Sequence, residues 1–412
     1  MLPWFKSGGS DALARTALSS QPSLEQAIDE VAGSLKGMGQ ADLALVFCSS
    51  SFASDLPRLL PLLQQKLQAD HWLGACGGGV VGTNPSNQPL ELEQGCGLSV
   101  TLLKLPGAQI NCFAIDANQL PDLDGPAEPW QQAVGADPKA GGGMLLWLDP
   151  TNSVINDLIS GLDYAYPAMA KLGGIAGNHS ANHGSLLLGD QVHHSVVGCV
   201  ISGAWSLEPV VAQGCRPIGP IFEVEQAKRN VVLELRQGDD LASPVTALQQ
   251  VIETLPEPDK ELLRHSLFVG LARNSFSLQQ ERSSNPFLVR NLMGVDPRQG
   301  AMAVADSLQV GQRLQFQLRD GATSRQELDG LLADAQQSCQ QQPPIAALLF
   351  ACLGRGQGLY GEAHVDTGLC RKHFPELPVS GLFCNGEIGP VDGSTQLHGY
   401  TACWALVVPT PS

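Results

Sequence analysis

Four residues near the C-terminus combine reactive or charged side chains with glycine turns: Cys352, Arg355, Asn385 and Glu387. The first two end the apolar run IAALLFACLGRGQGLYG (Ile345 to Gly361), and the other two lie in PVSGLFCNGEIGPV (Pro378 to Val391). Each run is too short for a free-standing helix and ends where glycines permit positive φ and a close backbone approach. A charge delivered to the end of a buried strand must be paired or must serve a ligand. An arginine clamps a carboxylate through two parallel hydrogen bonds, and Glu387 can hold an ammonium group, so together they suit an amino-acid zwitterion. Equally, Arg355 and Glu387 can pair with one another across neighbouring strand ends. Cys352 or Cys384, with His364 or His398 as base, is the arrangement a nucleophilic enzyme would use.

Similar turns occur earlier. GACGGGVVG contains Gly78, GGIAGN contains Gly173, Gly174 and Asn178, and Arg216 precedes the turn at Gly219. Such turns can offer backbone N–H groups to an anion, or can merely allow tight packing. None is a nucleotide fingerprint, and neither GxSxG nor HExxH is present. Two histidine clusters invite a metal test: His179 and His183 with Asp190, His193 and His194, and Glu362, His364, Asp366, Cys370 and His373. Histidines four apart face one another only on a helix, whereas residues 177–184 read as a turn, so no metal and no cofactor is expected.

These residues need elements to carry them. After a start expected to be mobile, Ser23 caps a helix whose apolar residues Leu24, Ala27, Ile28 and Val31 follow helical spacing. A buried strand (Ala41 to Ser50), a helix (Ser54 to Gln68) and a strand with its turn (His71 to Gly82) follow. The same scheme recurs from Met144 to Gly184, which reads as a diverged internal duplication. The Pro/Gly/Asp-rich stretch from Leu120 to Gly143 is expected to be a surface loop. Helices are also expected over 243–255 and 324–341. The fold class is therefore α/β: two related mixed-sheet domains with helices packed on the sheets.

Composition agrees with that scheme. A chain of 412 residues with 43% hydrophobic and 16% charged residues is long enough for two well-buried domains. The net charge of −16 excludes nucleic acid and anionic membrane surfaces as partners. Eleven scattered cysteines without a CxxC pair indicate a reducing compartment, and no stretch has the apolar length of a membrane span, so a cytoplasmic location is expected.

Five pieces in order, GACGGGVVG, GGIAGN, CRPIGPIFEVEQAKRNVVLEL, LLFACLGRG and GLFCNGEIGPVDG, resemble the FIST proteins, which pair an N-terminal with a C-terminal FIST domain. The resemblance implies an extension with a helix at 1–40, a FIST N-terminal domain at 41–237 and a FIST C-terminal domain at 238–407. It implies a sensory, signal-transducing role in which a small molecule such as an amino acid is bound, with a downstream protein partner supplying the output. The expected ligand contacts are Gly78, Gly173, Gly174, Asn178, Arg216, Cys352, Arg355, Asn385 and Glu387. Asn178 stands where the family typically carries an acidic residue.

Overall fold

The computed structural model describes residues 12–272 and 287–410; the start expected to be mobile lies, over residues 1–11, outside them. Spatially the chain divides into a larger unit, running to Val211 and again from Leu331, and a smaller one, Ala212–Gly330.

The larger unit is built from three copies of one strand–helix scheme. The first copy comprises β1 (Leu13–Ser19), α1 (Leu24–Ser34), β2 (Ala41–Ser49), α2 (Leu56–Gln64), β3 (Ala69–Gly77), β4 (Gly79–Thr83), β5 (Pro89–Leu92) and β6 (Leu98–Lys104). The second comprises β7 (Ala108–Ile115), α3 (Glu128–Val134), β8 (Gly143–Leu148), α4 (Ile155–Ala165), β9 (Ala170–Ile175), β10 (Leu186–Leu188), β11 (Gln191–His193) and β12 (Val196–Gly203).

A third copy opens with β13 (Trp205–Ala212), and the smaller unit is inserted after it in the chain. That unit holds β14 (Cys215–Lys228), β15 (Val231–Gln237), β16 (Asp240–Ala242), α5 (Pro244–Thr254), α6 (Glu257–Ser266), β17 (Leu267–Ala272), β18 (Phe287–Asp296), β19 (Ala301–Val304) and β20 (Arg313–Arg319). The third copy resumes with α7 (Gly321–Ser338), which returns to the larger unit at Leu331, and continues with β21 (Ala346–Cys352), α8 (Gln357–Tyr360), α9 (Val365–His373), β22 (Val379–Cys384), β23 (Glu387–Val391), β24 (Ser394–His398) and β25 (Ala402–Pro409). The chain thus has the α/β character expected from its sequence, and the repetition seen at Ala41 and Met144 extends to a third copy. The boundary drawn at 237/238 falls inside the inserted unit.

Each copy gives its outer and parallel strands to one sheet and its middle hairpin to another. The three six-stranded sheets run β1-β6-β2-β3-β10-β11, β7-β12-β8-β9-β23-β24 and β13-β25-β21-β22-β4-β5. Hairpin β4–β5 of the first copy therefore extends the third copy's sheet, β23–β24 of the third extends the second's, and β10–β11 of the second extends the first's. The exchange is cyclic and closes on itself. The sequence suggests that His71 to Gly82 is one strand with its turn; in fact the chain changes sheets at Gly78, between β3 and β4.

The parallel pairs explain the glycines. Val46 faces Gly74 across β2–β3, Leu146 faces Gly173 across β8–β9, and Leu349 faces Gly381 across β21–β22. A Cβ at those glycines would lie 1.8, 1.8 and 1.9 Å from the carbonyl oxygen of Val46, Leu146 and Leu349 respectively. No side chain fits there. The next residue of each opening strand, Phe47, Trp147 and Phe350, meets the other two on the pseudo-threefold axis, with ring centroids 5.7, 5.8 and 6.3 Å apart. Aromatic edges at such distances add to the area they bury, and the three rings sit in one continuous apolar core drawn from all three sheets.

The stretch expected as a surface loop between Leu120 and Gly143 instead contains α3, whose Trp130 is fully buried. Gly161 on α4 makes room for it: a Cβ there would stand 2.1 Å from the indole ring. In the inserted unit, a seven-stranded sheet packs Val224, Val232, Val269 and Phe316 against Ala247, Leu248 and Val251 of α5. Among the described residues no helix is long and apolar enough to cross a membrane.

Candidate functional site

The three glycine turns converge. Gly78, Gly177 and Asn385 occupy the same position in the three copies and form a ring of backbone hydrogen bonds. Gly78 N–H donates to the Phe383 carbonyl (3.0 Å), Asn385 N–H to Ile175 (3.0 Å) and Gly177 N–H to Cys76 (2.8 Å). A Cβ on Gly177 would strike the backbone of Gly77 and Gly78 at 2.6 and 2.8 Å, so the ring closes only with glycine there. Gly78 and Asn385 meet in this ring and Asn178 follows it, while Gly173 and Gly174 lie back in β9, opposite Ile388 and Glu387. Gly78 is half-buried, while the side chains of Asn178 and Asn385 are exposed.

At the carboxyl ends of β2, β8 and β21, the copies place Ser49, Asp149 and Cys352. Each donates its N–H to the carbonyl of the residue just before the antiparallel neighbour β6, β12 or β25: to Gly97 (2.9 Å), Ser195 (2.9 Å) and Thr401 (3.1 Å). One scaffold position thus carries three chemistries. Burial pushes the Asp149 carboxyl up, but hydrogen bonds from Thr151 and Ser185 outweigh it and hold it below its ordinary value. Ser185 Oγ lies 3.1 Å from His179 Nε2, and the His179 and His183 rings are 5.4 Å apart. Among the described residues no group of three or more His, Cys, Asp or Glu is placed to hold a metal ion.

The charged cluster lies behind the third turn. Arg355 is fully buried and gives Asp366 a bidentate pair, Nε to Oδ2 at 2.8 Å and Nη2 to Oδ1 at 2.9 Å. Tyr360 Oη donates to the same carboxylate at 2.7 Å, and Arg355 Nη1 reaches the Tyr400 carbonyl at 3.4 Å. The guanidinium fork is thus occupied by a carboxylate of the protein itself. Arg355, expected to clamp the carboxylate of a ligand, is thus bonded to Asp366 of the protein itself. Glu387, fully buried, accepts the Thr401 N–H at 3.0 Å. Arg216 belongs to the inserted unit, where it is bonded to Asp259 (2.6 Å) and Asp320 (3.0 Å).

Two further residues are absent from the sequence reading. Glu91, on the exchanged strand β5, accepts both the Thr367 N–H (2.8 Å) and its hydroxyl (2.9 Å), while its own N–H donates to His364 Nδ1 at 3.0 Å. Glu93 accepts the Gln357 N–H at 2.8 Å. The hairpin from the first copy therefore grips α8 and α9 of the third. The sequence signal was the alternation PLELE after the second turn, where acidic residues recur on one face. His364, considered above as a metal ligand, takes part in this grip, and Asp366 pairs with Arg355.

Burial, and then the nearby Asp366 carboxylate, push Glu91 up to about 8 against the hydrogen bonds from Thr367. The folded state then holds a proton that the unfolded chain releases near 4.5, so stability falls as pH rises from about 4.5 to about 8 and levels off above. Glu91→Gln keeps the Thr367 acceptor and removes the titration. In urea melts across that range, the wild-type decline should exceed that of the variant by a few kcal/mol; parallel curves would show that Glu91 is ionised throughout.

The thiols divide by environment. Burial, then the Glu387 carboxylate, push both Cys384 and Cys403 well up, which disfavours the thiolate a nucleophile needs. His364 Nδ1 is engaged by Glu91, and His398 Nε2 lies 3.1 Å from the Gly389 carbonyl. Two described cavities of the larger unit, of about 800 Å³ beside Trp72 and about 610 Å³ beside Pro343 and Pro344, are lined by none of the expected ligand contacts.

Family models for the FIST N domain and the FIST C domain match residues 42–237 and 245–390. The chain belongs to the FIST family. It is 32% identical over 266 residues to an uncharacterised protein of Mycobacterium tuberculosis, covering 64% of this chain and 67% of that one. A shorter match, 35% identical over 75 residues, covers 14% of this chain and 19% of the human F-box only protein 22. Among solved structures, a cyanuric acid hydrolase from A. caulinodans aligns over 97% of this chain and 100% of its own with a TM-score of 0.31 and 10% identity.

Proposed function

We propose that the protein is an intracellular sensor that binds a small carboxylate-bearing metabolite, such as an amino acid, where the three glycine turns meet. The observation that supports this reading most is their convergence at the carboxyl ends of three parallel strand pairs, the place where open parallel sheets characteristically receive ligands. Asn385 and Asn178 supply exposed amides there, and Leu353 flanks Gly78; Leu353 is 47% exposed, and a Cβ on Gly78 would meet its Cδ2 at 2.1 Å. The Arg355–Asp366 pair holds the Cys352–Gly356 loop in place beneath the ligand. Binding affects output only through unequal affinity for two states of the protein, and a separate protein partner carries the signal onward.

A thermal-shift screen of amino acids and organic acids tests this. At least one is expected to raise the melting temperature, and Asn385→Ala should weaken its binding about tenfold, the worth of one hydrogen bond to a charged group. A broad panel that shifts nothing, or a hit indifferent to Asn385, would remove the reading's support.

A further inference from the structure

We infer that Cys112 and Cys199 form a redox-active cross-strand dithiol that closes to a disulfide on exposure to a neutral hydroperoxide. The two residues face one another across the antiparallel pair β7–β12. Further along the same ladder Ala204 donates its N–H to the Gly107 carbonyl directly opposite (3.1 Å), which makes that a hydrogen-bonded pair. Such pairs alternate, so they fall on Ser202, Val200 and Gly198, and Cys199–Cys112 is a non-hydrogen-bonded pair. The other edge of β12 agrees: Asp149 donates to Ser195, turning the odd-numbered backbone groups toward β8. In non-hydrogen-bonded pairs the Cα atoms approach to about 4.5 Å, at the short end of the span that a disulfide bridges.

Access separates this pair from Cys48 and Cys76. Cys199 is fully buried, but Cys112 is partly exposed and lines the cavity of about 800 Å³ together with His71, Asp70 and Asp190. The acidic lining disfavours anionic oxidants such as glutathione disulfide and admits hydrogen peroxide. Cys48 and Cys76 also face one another, across parallel strands, yet both are fully buried and closed to oxidant. Cys352 and Cys384 face one another across parallel strands too, without the close antiparallel pairing of Cys112 and Cys199.

The chemistry balances. The Cys112 thiolate attacks one peroxide oxygen, the O–O bond breaks, and the departing hydroxide takes a proton to become water, leaving a sulfenic acid. The Cys199 sulfur then attacks the Cys112 sulfur, the S–O bond breaks, and the hydroxyl leaves as a second water with the Cys199 proton. Two electrons pass from the dithiol to the peroxide.

Peptide mapping of the wild-type protein after graded hydrogen peroxide, with thiols blocked before digestion, tests the assignment. The expected result is one linked peptide pair joining Cys112 to Cys199, a loss of about 2 Da per chain reversed by dithiothreitol. In Cys199→Ser, Cys112 should instead be trapped as sulfenic or sulfinic acid. A linkage through other cysteines, or wild-type Cys112 passing to sulfinic acid without any linkage, overturns the assignment. The wild-type map decides the matter even if the variant does not fold.

Discussion

Gly173→Ala is expected to prevent folding, and so are Gly74→Ala and Gly381→Ala. At each position a single methyl carbon would enter a carbonyl oxygen at less than 2 Å. The overlap is with backbone that is itself paired in a sheet, so no rotamer change relieves it. A cost of roughly 4 kcal/mol or more belongs to the exceptional end of point substitutions and is a large share of the 5–15 kcal/mol that typically holds a domain together. Gly33, on α1, is the control: nothing lies within 4 Å of the Cβ it would gain, so Gly33→Ala should stabilise by about 0.5–1 kcal/mol. Chemical denaturation of the four variants checks both directions. Three comparable losses would confirm that the copies share one construction rule, whereas a well-folded Gly173→Ala protein would contradict it.

The second large effect is at the buried ion pair. Arg355 and Asp366 are 0% and 1% exposed, so removing either breaks a bidentate ion pair inside the core. Arg355→Ala and Asp366→Ala should each cost about 3–5 kcal/mol. The double variant Arg355→Met with Asp366→Leu should recover much of that loss, because replacing both charges removes the desolvation penalty along with the attraction. Additive losses in urea denaturation would mean that the two side chains act independently. The same reasoning removes Arg355→Ala as a test of ligand binding, since its effect on the fold would mask any effect on a ligand.

Much of this was legible beforehand. Ser23 caps α1 as its spacing with Gln26 suggested, and the buried strands around Leu45, Trp147 and Phe350 announced themselves as short apolar runs. The third copy was written in the sequence as well. LGACGG, LGGIAG and SGLFCNG align on Gly74, Gly173 and Gly381, but the insertion of Ala212–Gly330 separates the third copy's first strand from the rest and hides the period.

The exchange of hairpins was not legible. A turn at Gly77–Gly79 looks the same whether the next strand folds back or crosses to another sheet, because strand pairing partners are set by long-range packing. For the same reason Arg355 could be recognised as a charge needing a partner, while Asp366, 11 residues on and facing it across a helix start, could not be distinguished from Glu387. Trp130 shows the limit of composition: its Pro- and Gly-rich surroundings read as loop, yet its indole needed burial and Gly161 provided the space.

The most direct measurement is electron density for the protein crystallised as purified and again after soaking with the best compound from the thermal screen. The account predicts a small molecule within hydrogen-bonding distance of Asn385 and beside the turn at Gly78. Density confined to the cavity at Trp72 or at Pro343, or turns that stay bare at saturating concentration of a compound that stabilises the protein, would contradict it.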